Sequence, residues 1–233
     1  MAKAVPAEAK VEFLAGVKAM LPLLLGAIPF GVTYGVLAFT GGLGVPAALG
    51  MSSVVFAGSA QFVAVQLFTV AAPAMVVIVT TFMVNLRHAL YSASLSPHLK
   101  NLRSLWKWTL SYLLTDEAYA VTIVHYDRFG TSRNGHWFFL GAGLTMWITW
   151  QASTAAGIFL GQVIPRNWPL DFAITLTFIA LLVPMLKDRL SVGVSLTAGV
   201  IAILAINLPL RLNLILAVII AVVIGVAIER IRR

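Results

Sequence analysis

The chain has 233 residues, of which 60% are hydrophobic and only 10% are charged, and its mean hydropathy is +0.96. This composition excludes an ordinary soluble domain, in which about 25% of residues are charged. The net charge of +8 comes from Lys and Arg scattered between apolar runs, without a basic stripe, so nucleic acid is not an expected partner. The absence of cysteine excludes disulfides and thiolate chemistry. We therefore predict a polytopic protein of the lipid bilayer.

Apolar runs long enough to cross a bilayer recur along the whole chain, at about 17 to 25 residues per helical crossing. Spanning segments must satisfy their own backbone hydrogen bonds, and these runs are far too long for barrel strands. We predict an all-α membrane protein, a single transmembrane domain over 1–233, with about eight spans, or seven if one of the last two is only partly inserted. The predicted spans lie near 13–39, 46–70, 73–95, 105–126, 136–162, 168–186, 190–206 and 210–228.

The orientation follows from the basic residues, because Lys and Arg in short loops favour the cytoplasmic side. If eight spans start from a cytoplasmic N-terminus, most of the basic residues fall inside, and both termini are predicted to be cytoplasmic. The basic residues that this arrangement places outside are Lys100, Arg103, Lys107, Arg166 and Arg211. The cluster from Lys100 to Lys107 conflicts with the rule.

The first two spans are interrupted. Pro22 and Pro29 predict an unwound or kinked segment in the first, since proline lacks a backbone donor and clashes with the preceding turn. In the second, Gly58, Ser59 and Gln61 form a small polar patch in mid-span. Broken helices at membrane depth are typical of cavities in transporters. The alternative is that the small residues only allow close helix packing.

The third span ends in a polar stretch that includes Asn85, Arg87, His88, Tyr91 and Ser92. On a helix, Asn85, His88 and Ser92 share one face, and the other two lie on the adjacent face. Ionisable side chains at membrane depth are costly and by default indicate a functional site. In the alternative interpretation, the arginine reaches up to the lipid headgroups and the tyrosine belongs to the aromatic belt.

Two adjacent carboxylates, Asp116 and Glu117, lie near the middle of the fourth span. Arg87 is the expected counter-ion for one of them, and the other is a candidate for protonation. Together with His88, whose imidazole suits proton transfer, they form a predicted proton-coupling group. The alternative is a structural ion pair between the third and fourth spans.

Four motifs in this order resemble the AzlC family, the large subunits of bacterial branched-chain amino acid exporters. The motifs are Pro29-Phe30-Gly31, Phe56-Ala57-Gly58-Ser59-Ala60-Gln61-Phe62, Asn85-Leu86-Arg87-His88-Ala89-Leu90-Tyr91-Ser92 and Thr115-Asp116-Glu117. The resemblance covers the whole chain in length and span pattern, with the motifs in the first half. It implies a permease of the bacterial plasma membrane, not an enzyme. The permease would export valine, leucine, isoleucine or similar amino acids with a small hydrophobic AzlD-type subunit.

The residues are compatible with such a substrate, since an apolar zwitterion needs donors for its carboxylate, acceptors for its ammonium group and an apolar pocket. We expect helix N-termini near Gly58 or Pro29 to supply backbone donors. The predicted substrate-binding residues are Pro29, Phe30, Gly58, Ser59, Gln61, Asn85, Arg87 and Tyr91. The predicted residues for proton coupling or ion pairing are His88, Asp116 and Glu117.

Two other functional classes remain open. The first is a channel or carrier for another small polar solute, and the second, less favoured, is a membrane-embedded enzyme. The sequence has no P-loop and no His-Glu-x-x-His motif, so ATP hydrolysis, a metal site and a cofactor are not expected. A transporter should show discontinuous helices around a cavity, a channel a continuous polar pore, and an enzyme a nucleophile beside a base.

Overall fold

The computed structural model describes residues 7–130, 132, 134–163, 186, 188–206, 208 and 212–232. In that part of the chain every regular element is a helix, which confirms the all-α class. The helices are α1 (Ala7–Thr40), α2 (Val45–Val54), α3 (Gly58–Thr69), α4 (Ala74–Asn85), α5 (Arg87–Leu99), α6 (Ser104–Tyr112), α7 (Asp116–Phe129), α8 (Gly135–Val163), α9 (Arg189–Leu204) and α10 (Leu212–Arg232). The predicted span near 168–186 lies almost entirely outside the described residues.

The chain divides into two units. The first consists of Met1–Gln66 and Thr81–Ile164, and the second of Leu67–Thr80 and Pro165–Arg233. Within the second unit α9 packs against α10, and the Asn213 side chain of α10 donates to a carbonyl of α9 at 3.1 Å. All the predicted site residues belong to the first unit, so the following paragraphs concern that unit.

Two helical stretches within the described residues are long and apolar enough to cross a membrane, judged by length and composition. One is α1. The other is Ala74–Leu99, which is α4 followed directly by α5. The residue between these two helices, Leu86, keeps helical backbone angles, so the second stretch is nearly continuous.

The core of the first unit is formed by α1 and α8, which lie side by side and run in the same direction. Phe13 of α1 faces Gly141 of α8, and Val32 faces Gly157. A Cβ atom on either glycine would collide with the carbonyl oxygen of the facing residue. Glycine therefore allows the two backbones to touch, as is common between membrane helices.

The unwound segment predicted at Pro22 and Pro29 is not observed, because α1 stays helical through both residues. A proline removes one backbone donor, but membrane helices tolerate this where neighbouring groups satisfy the freed carbonyls. The carbonyls freed here are those of Lys18 and Leu25, four residues before each proline; separately, the Thr33 hydroxyl donates to the carbonyl of Pro29 at 2.8 Å. Since no helix begins near Pro29, this region offers no free backbone amides to a ligand.

Helix α6 runs parallel to α8. Early in both helices, the rings of Trp106 and Trp137 are 5.0 Å apart between centroids. Further along both, Trp147 donates its indole N–H to the Tyr112 hydroxyl at 2.7 Å. The end of α6 therefore lies about halfway along α8.

Helix α7 then turns back along α8. It starts after the short break Leu113–Thr115, and its last turns lie beside the start of α8. There the His125 ring stacks on Phe138 at 3.8 Å between centroids, and the Tyr126 hydroxyl donates to a backbone carbonyl at 3.0 Å. Helices α6 and α7 thus form a hairpin whose tip is the break.

Helices α2 and α3 form another hairpin, directed the opposite way. In chain order its tip, Val55–Ala57, is the first tip and Leu113–Thr115 is the second. In α2, the Ala48 carbonyl accepts a hydrogen bond from Tyr34 at 3.0 Å, so α2 runs back along α1 after the turn that joins them. In α3, Gly58 lies against the Phe30 ring and Phe62, one turn later, lies 6.1 Å from the Tyr34 ring. The first two turns of α3 therefore run parallel to α1.

The structure thus adds a reversal inside each of the predicted spans 46–70 and 105–126. The interruption that the sequence indicated in the second span is present at Val55–Ala57, whereas the break at Leu113–Thr115 in the fourth span was not predicted. The reversal itself is not visible in hydropathy, because an apolar run reports burial in lipid and not direction. The two hairpin tips are joined by a hydrogen bond, which the Tyr112 hydroxyl donates to the carbonyl of Ser53 at 2.7 Å.

Candidate functional site

The first hairpin tip places the N-terminus of α3 against an aromatic surface. A Cβ atom on Gly58 would lie 2.7 Å from the Trp150 ring and 3.1 Å from the Phe30 ring, so only glycine fits without displacing a ring. The amides in the first turn of a helix have no partner within the helix. The tip therefore presents backbone donors at the position where the patch of small residues was predicted to break the span.

The second tip places the N-terminus of α7 opposite. Thr115 has an extended backbone and its hydroxyl accepts the Ala118 amide at 3.2 Å, which is an N-cap. Asp116 and Glu117 follow in the first turn, where the helix dipole favours negative charge. The two carboxylates predicted to interrupt a helix at its midpoint instead begin one.

Arg87 joins the two tips. Its Nη1 atom donates to Asp116 Oδ2 at 2.5 Å, and its Nη2 atom donates to Ser59 Oγ at 2.6 Å. The two charged side chains are 27% and 39% exposed. Of the two carboxylates considered as partners of Arg87, Asp116 is the one that contacts it, and the guanidinium group also reaches the first turn of α3.

Several polar atoms of residues in or next to the segments that Arg87 joins are buried and have no hydrogen-bond partner among the described residues. They are both amide atoms of Gln61, the Oδ1 atoms of Asn85 and Asp116, and Arg87 Nε. Gln61 is fully buried. Leaving a buried polar group unpaired costs about 1 to 3 kcal/mol, so natural structures rarely leave several together. Such a group is a natural place for a polar ligand.

An aromatic wall stands beside these atoms, formed by Phe30, Tyr34, Phe62 and Trp150. The ring of Phe30 lies 4.6 Å from Phe62 and 5.9 Å from Trp150, and Tyr34 stacks on Trp150 at 6.3 Å, all between centroids. The combination of an apolar wall with a few unpaired polar atoms is typical of small-molecule sites.

The meeting point of the two tips at Arg87 is called the junction below. The remaining predicted residues have contacts of their own. The Tyr91 ring stacks on Tyr119 of α7 at 4.5 Å, and the His88 ring lies 5.9 Å from Tyr91. His88 Nδ1 is 3.2 Å from the carbonyl oxygen of Asn85. Pro29, in contrast, is exposed on α1, away from the aromatic wall.

The comparison with known families matches residues 22–164 to the model of the AzlC protein family. This range covers more than half of the chain and contains both tips, Arg87 and the aromatic wall. The chain belongs to the AzlC family. No solved structure matches it.

Relatives of this AzlC family member are membrane proteins. It is 32% identical over 195 residues to an uncharacterized membrane protein of Archaeoglobus fulgidus, covering 82% of this chain and 83% of the relative. It is 25% identical to the inner membrane protein YgaZ of Escherichia coli, covering 86% and 83% of the two chains. It is 27% identical to the branched-chain amino acid transport protein AzlC of Bacillus subtilis, covering 70% and 63%. Membrane location is thus established for the family.

Tyr34 and Trp150 were not among the predicted site residues. Tyr34 follows Phe30 by four residues, so helical spacing places both on one face of α1 and could have indicated it. Trp150 lies in a distant helix and reaches the site only through the parallel packing of α1 and α8. Thr115 was part of a motif, but its role as an N-cap required knowledge of the break.

Proposed function

We propose that this protein is a secondary transporter that exports branched-chain amino acids, namely valine, leucine, isoleucine or similar, across the bacterial plasma membrane. The relative from B. subtilis is named a branched-chain amino acid transport protein, which supports amino acid transport. The structural observation that carries the proposal is the position of Arg87, which bridges Ser59 and Asp116 at the two hairpin tips. Broken helices whose ends meet in mid-membrane are typical of the binding sites of secondary transporters.

The junction has a polarity that suits a zwitterion. The first turn of α3 contains no acidic residue, so its backbone amides, Ser59 and Arg87 form a site for a carboxylate. Asp116 has one oxygen on Arg87 and one that is unpaired among the described residues, and the unpaired oxygen can accept from an ammonium group. Phe30 and Phe62 provide apolar surface for the aliphatic side chain.

Proton movement through Asp116, Glu117 and His88 is the proposed driving force. Asp116 is one half of the ion pair, and the other two residues are its neighbours in the chain, Glu117 next to Asp116 on α7 and His88 next to Arg87 on α5. Purified protein in liposomes, with an imposed pH gradient, tests this. We expect the D116N/E117Q variant to lose the dependence of amino acid efflux on the gradient, and unchanged dependence would remove these residues from coupling.

A small hydrophobic subunit of the AzlD type is the proposed partner. The support is the family membership and the exposure of large apolar side chains on α4, such as Met75, Ile78 and Phe82. Co-purification of a tagged chain with the small membrane protein encoded beside it tests the partnership. Recovery of the chain alone after mild detergent extraction, with undiminished transport, would contradict it.

Efflux of labelled amino acid tests the central proposal. Cells expressing the chain with its partner are preloaded with labelled valine, leucine or isoleucine and washed. We expect faster efflux of all three than from cells carrying an empty vector or the R87Q variant. A channel would instead conduct without counterflow, so exchange driven by unlabelled valine outside separates the two classes. Efflux equal to the empty vector would refute the proposal.

A further inference from the structure

A cavity of about 170 Å³ lies between α5 and α6, separate from the aromatic wall. Its polar lining includes Ser92, Ser96 and Ser111 together with Lys107, and the rest is mostly apolar. Since a water molecule occupies about 30 Å³ in the liquid, the cavity has room for a small solute. It has no role in the site described above.

The cavity leads from the end of α5 to the second hairpin tip. At one end it is lined by Lys107, which is exposed and donates to the carbonyl of Lys100 at 2.8 Å. At the other end it is lined by Leu114, which belongs to the break before α7 and precedes Asp116 by two residues. A solute that enters beside Lys107 therefore arrives at the break before α7, two residues before Asp116 in the chain.

The hairpin geometry determines on which face of the unit this mouth lies. Trp106 near the start of α6 contacts Trp137 near the start of α8. At the end of α7, His125 Nε2 is 3.2 Å from a Glu12 carboxylate oxygen of α1. The mouth is therefore on the face that holds the N-terminal ends of α1 and α8.

Basic residues are concentrated on that same face. Apart from Arg87 at the tips, the described Lys and Arg residues between 7 and 163 lie in the first half of α1, around the turn between α5 and α6, or at the end of α7. They are Lys10, Lys18, Lys100, Arg103, Lys107 and Arg128. The turn that joins α1 to α2 has none. Because basic loops favour the cytoplasm, this face is the cytoplasmic one, and the cluster from Lys100 to Lys107 no longer conflicts with the rule.

We propose that this cavity is the cytoplasmic entrance of the transporter, where Lys107 receives the carboxylate of an aliphatic amino acid before it passes to Arg87. The inference rests on the proposed function. An ammonium group has three donors, of which one is used by the Lys100 carbonyl. Leu95, Leu110 and Phe139 provide the apolar walls that the side chain of such a substrate needs.

Single cysteines test the entrance directly, because the chain has no cysteine of its own. The S111C variant places a thiol inside the cavity, S104C places one at the start of α6 outside it, and G44C places one in the turn after α1. We expect a membrane-impermeant thiol reagent to label S111C and S104C in inside-out vesicles and G44C in intact cells. Labelling should block valine uptake into inside-out vesicles for S111C and leave S104C active.

Labelling of S111C from outside the cell, or full labelling without loss of transport, would overturn the proposal. The labelling pattern does not depend on transport. Therefore, if wild-type vesicles fail to take up valine, the proposed function fails while the side of the cavity is still measured.

The K107Q variant tests the role of the lysine. We expect the KM for valine uptake into inside-out vesicles to rise several-fold with little change in maximal rate, and K107R to behave as wild type. A lipid phosphate is the other anion that this lysine could bind, so the measurement is repeated in liposomes with and without anionic lipid. A K107Q effect that is seen only with anionic lipid would assign the lysine to lipid and overturn its role in substrate entry.

Discussion

Each hairpin tip contains the N-terminus of a helix, but the two N-termini differ in capping and in charge. At the start of α7, Thr115 caps the helix and Asp116 and Glu117 place negative charge in its first turn. At the start of α3, Gly58 and Ser59 leave the first turn without an acidic residue. The N-terminus of α7 is thus capped and neutralised by its own residues. The N-terminus of α3 has no acidic residue and can still attract an anion.

The difference shows how one site can recognise two opposite charges. Arg87 contacts both tips, so it neutralises the acidic one and adds to the positive field of the other. An amino acid bound between them would have its carboxylate toward α3 and its ammonium group toward α7. The four predictions below test this assignment.

The largest effect is expected from Arg87. The R87Q variant loses two charge-assisted hydrogen bonds, each of about 1.5 to 3 kcal/mol, so transport should fall by at least roughly tenfold. Efflux of labelled valine from proteoliposomes measures this. The R87Q/D116N variant is the control, since it removes the unpaired carboxylate and should restore thermal stability but not transport. Recovery of transport in the double variant would mean that the pair is only structural.

The next largest effect is expected from Gly58 at the start of α3. The G58A variant places a Cβ atom 2.7 Å from the Trp150 ring, and such overpacking costs about 1 to 3 kcal/mol. Transport should fall several-fold. The smaller ring in G58A/W150F should restore part of it, compared with W150F alone. If G58A transports normally, the close approach at this tip is not needed for binding.

The Q61L variant distinguishes an effect on substrate binding from an effect on protein stability. It is fully buried and its amide atoms have no partner among the described residues, so Q61L should unfold at the same temperature as wild type or higher. Transport should nevertheless decrease by roughly the effect of one lost hydrogen bond, about 1 kcal/mol. Thermal melting and efflux on the same preparation measure both. A variant that is less stable and equally active would assign Gln61 a structural role.

The smallest effect is expected from Thr115, the N-cap of α7. The T115A variant removes an N-cap, which typically costs about 1 kcal/mol. Its melting temperature should decrease slightly and its KM for valine should change little. The T115S variant keeps the hydroxyl and should match wild type. A large change in KM without a change in stability would place Thr115 in direct contact with substrate.

Much of the helical architecture was accessible from the sequence. The apolar runs, the break at Gly58 and the pairing of Arg87 with Asp116 all follow from composition and the cost of charge in lipid. Of the two outcomes predicted for the prolines of α1, an unwound or a kinked segment, unwinding does not occur, because a helix in a bundle tolerates the missing donors. The roles predicted for the site residues stay predictions.

The reversal of chain direction at each tip could not be predicted from the sequence. A helix that turns back at mid-depth and a helix that continues have the same hydropathy, and only contacts such as Trp106 with Trp137 distinguish them. The same limit explains why Trp150 was not among the predicted site residues. Trp150 joins the aromatic wall through the packing of two helices more than a hundred residues apart in the chain.

The contact between α1 and α8 has a consequence for how such a carrier could move. Where backbone meets backbone at Gly141 and Gly157, no layer of flexible side chains separates the two helices and could absorb sliding. Interfaces of that kind resist shear, because any shift forces atoms together. We therefore expect α1 and α8 to keep their relative positions during each transport cycle. The movement should be confined to the two hairpins that pack against them.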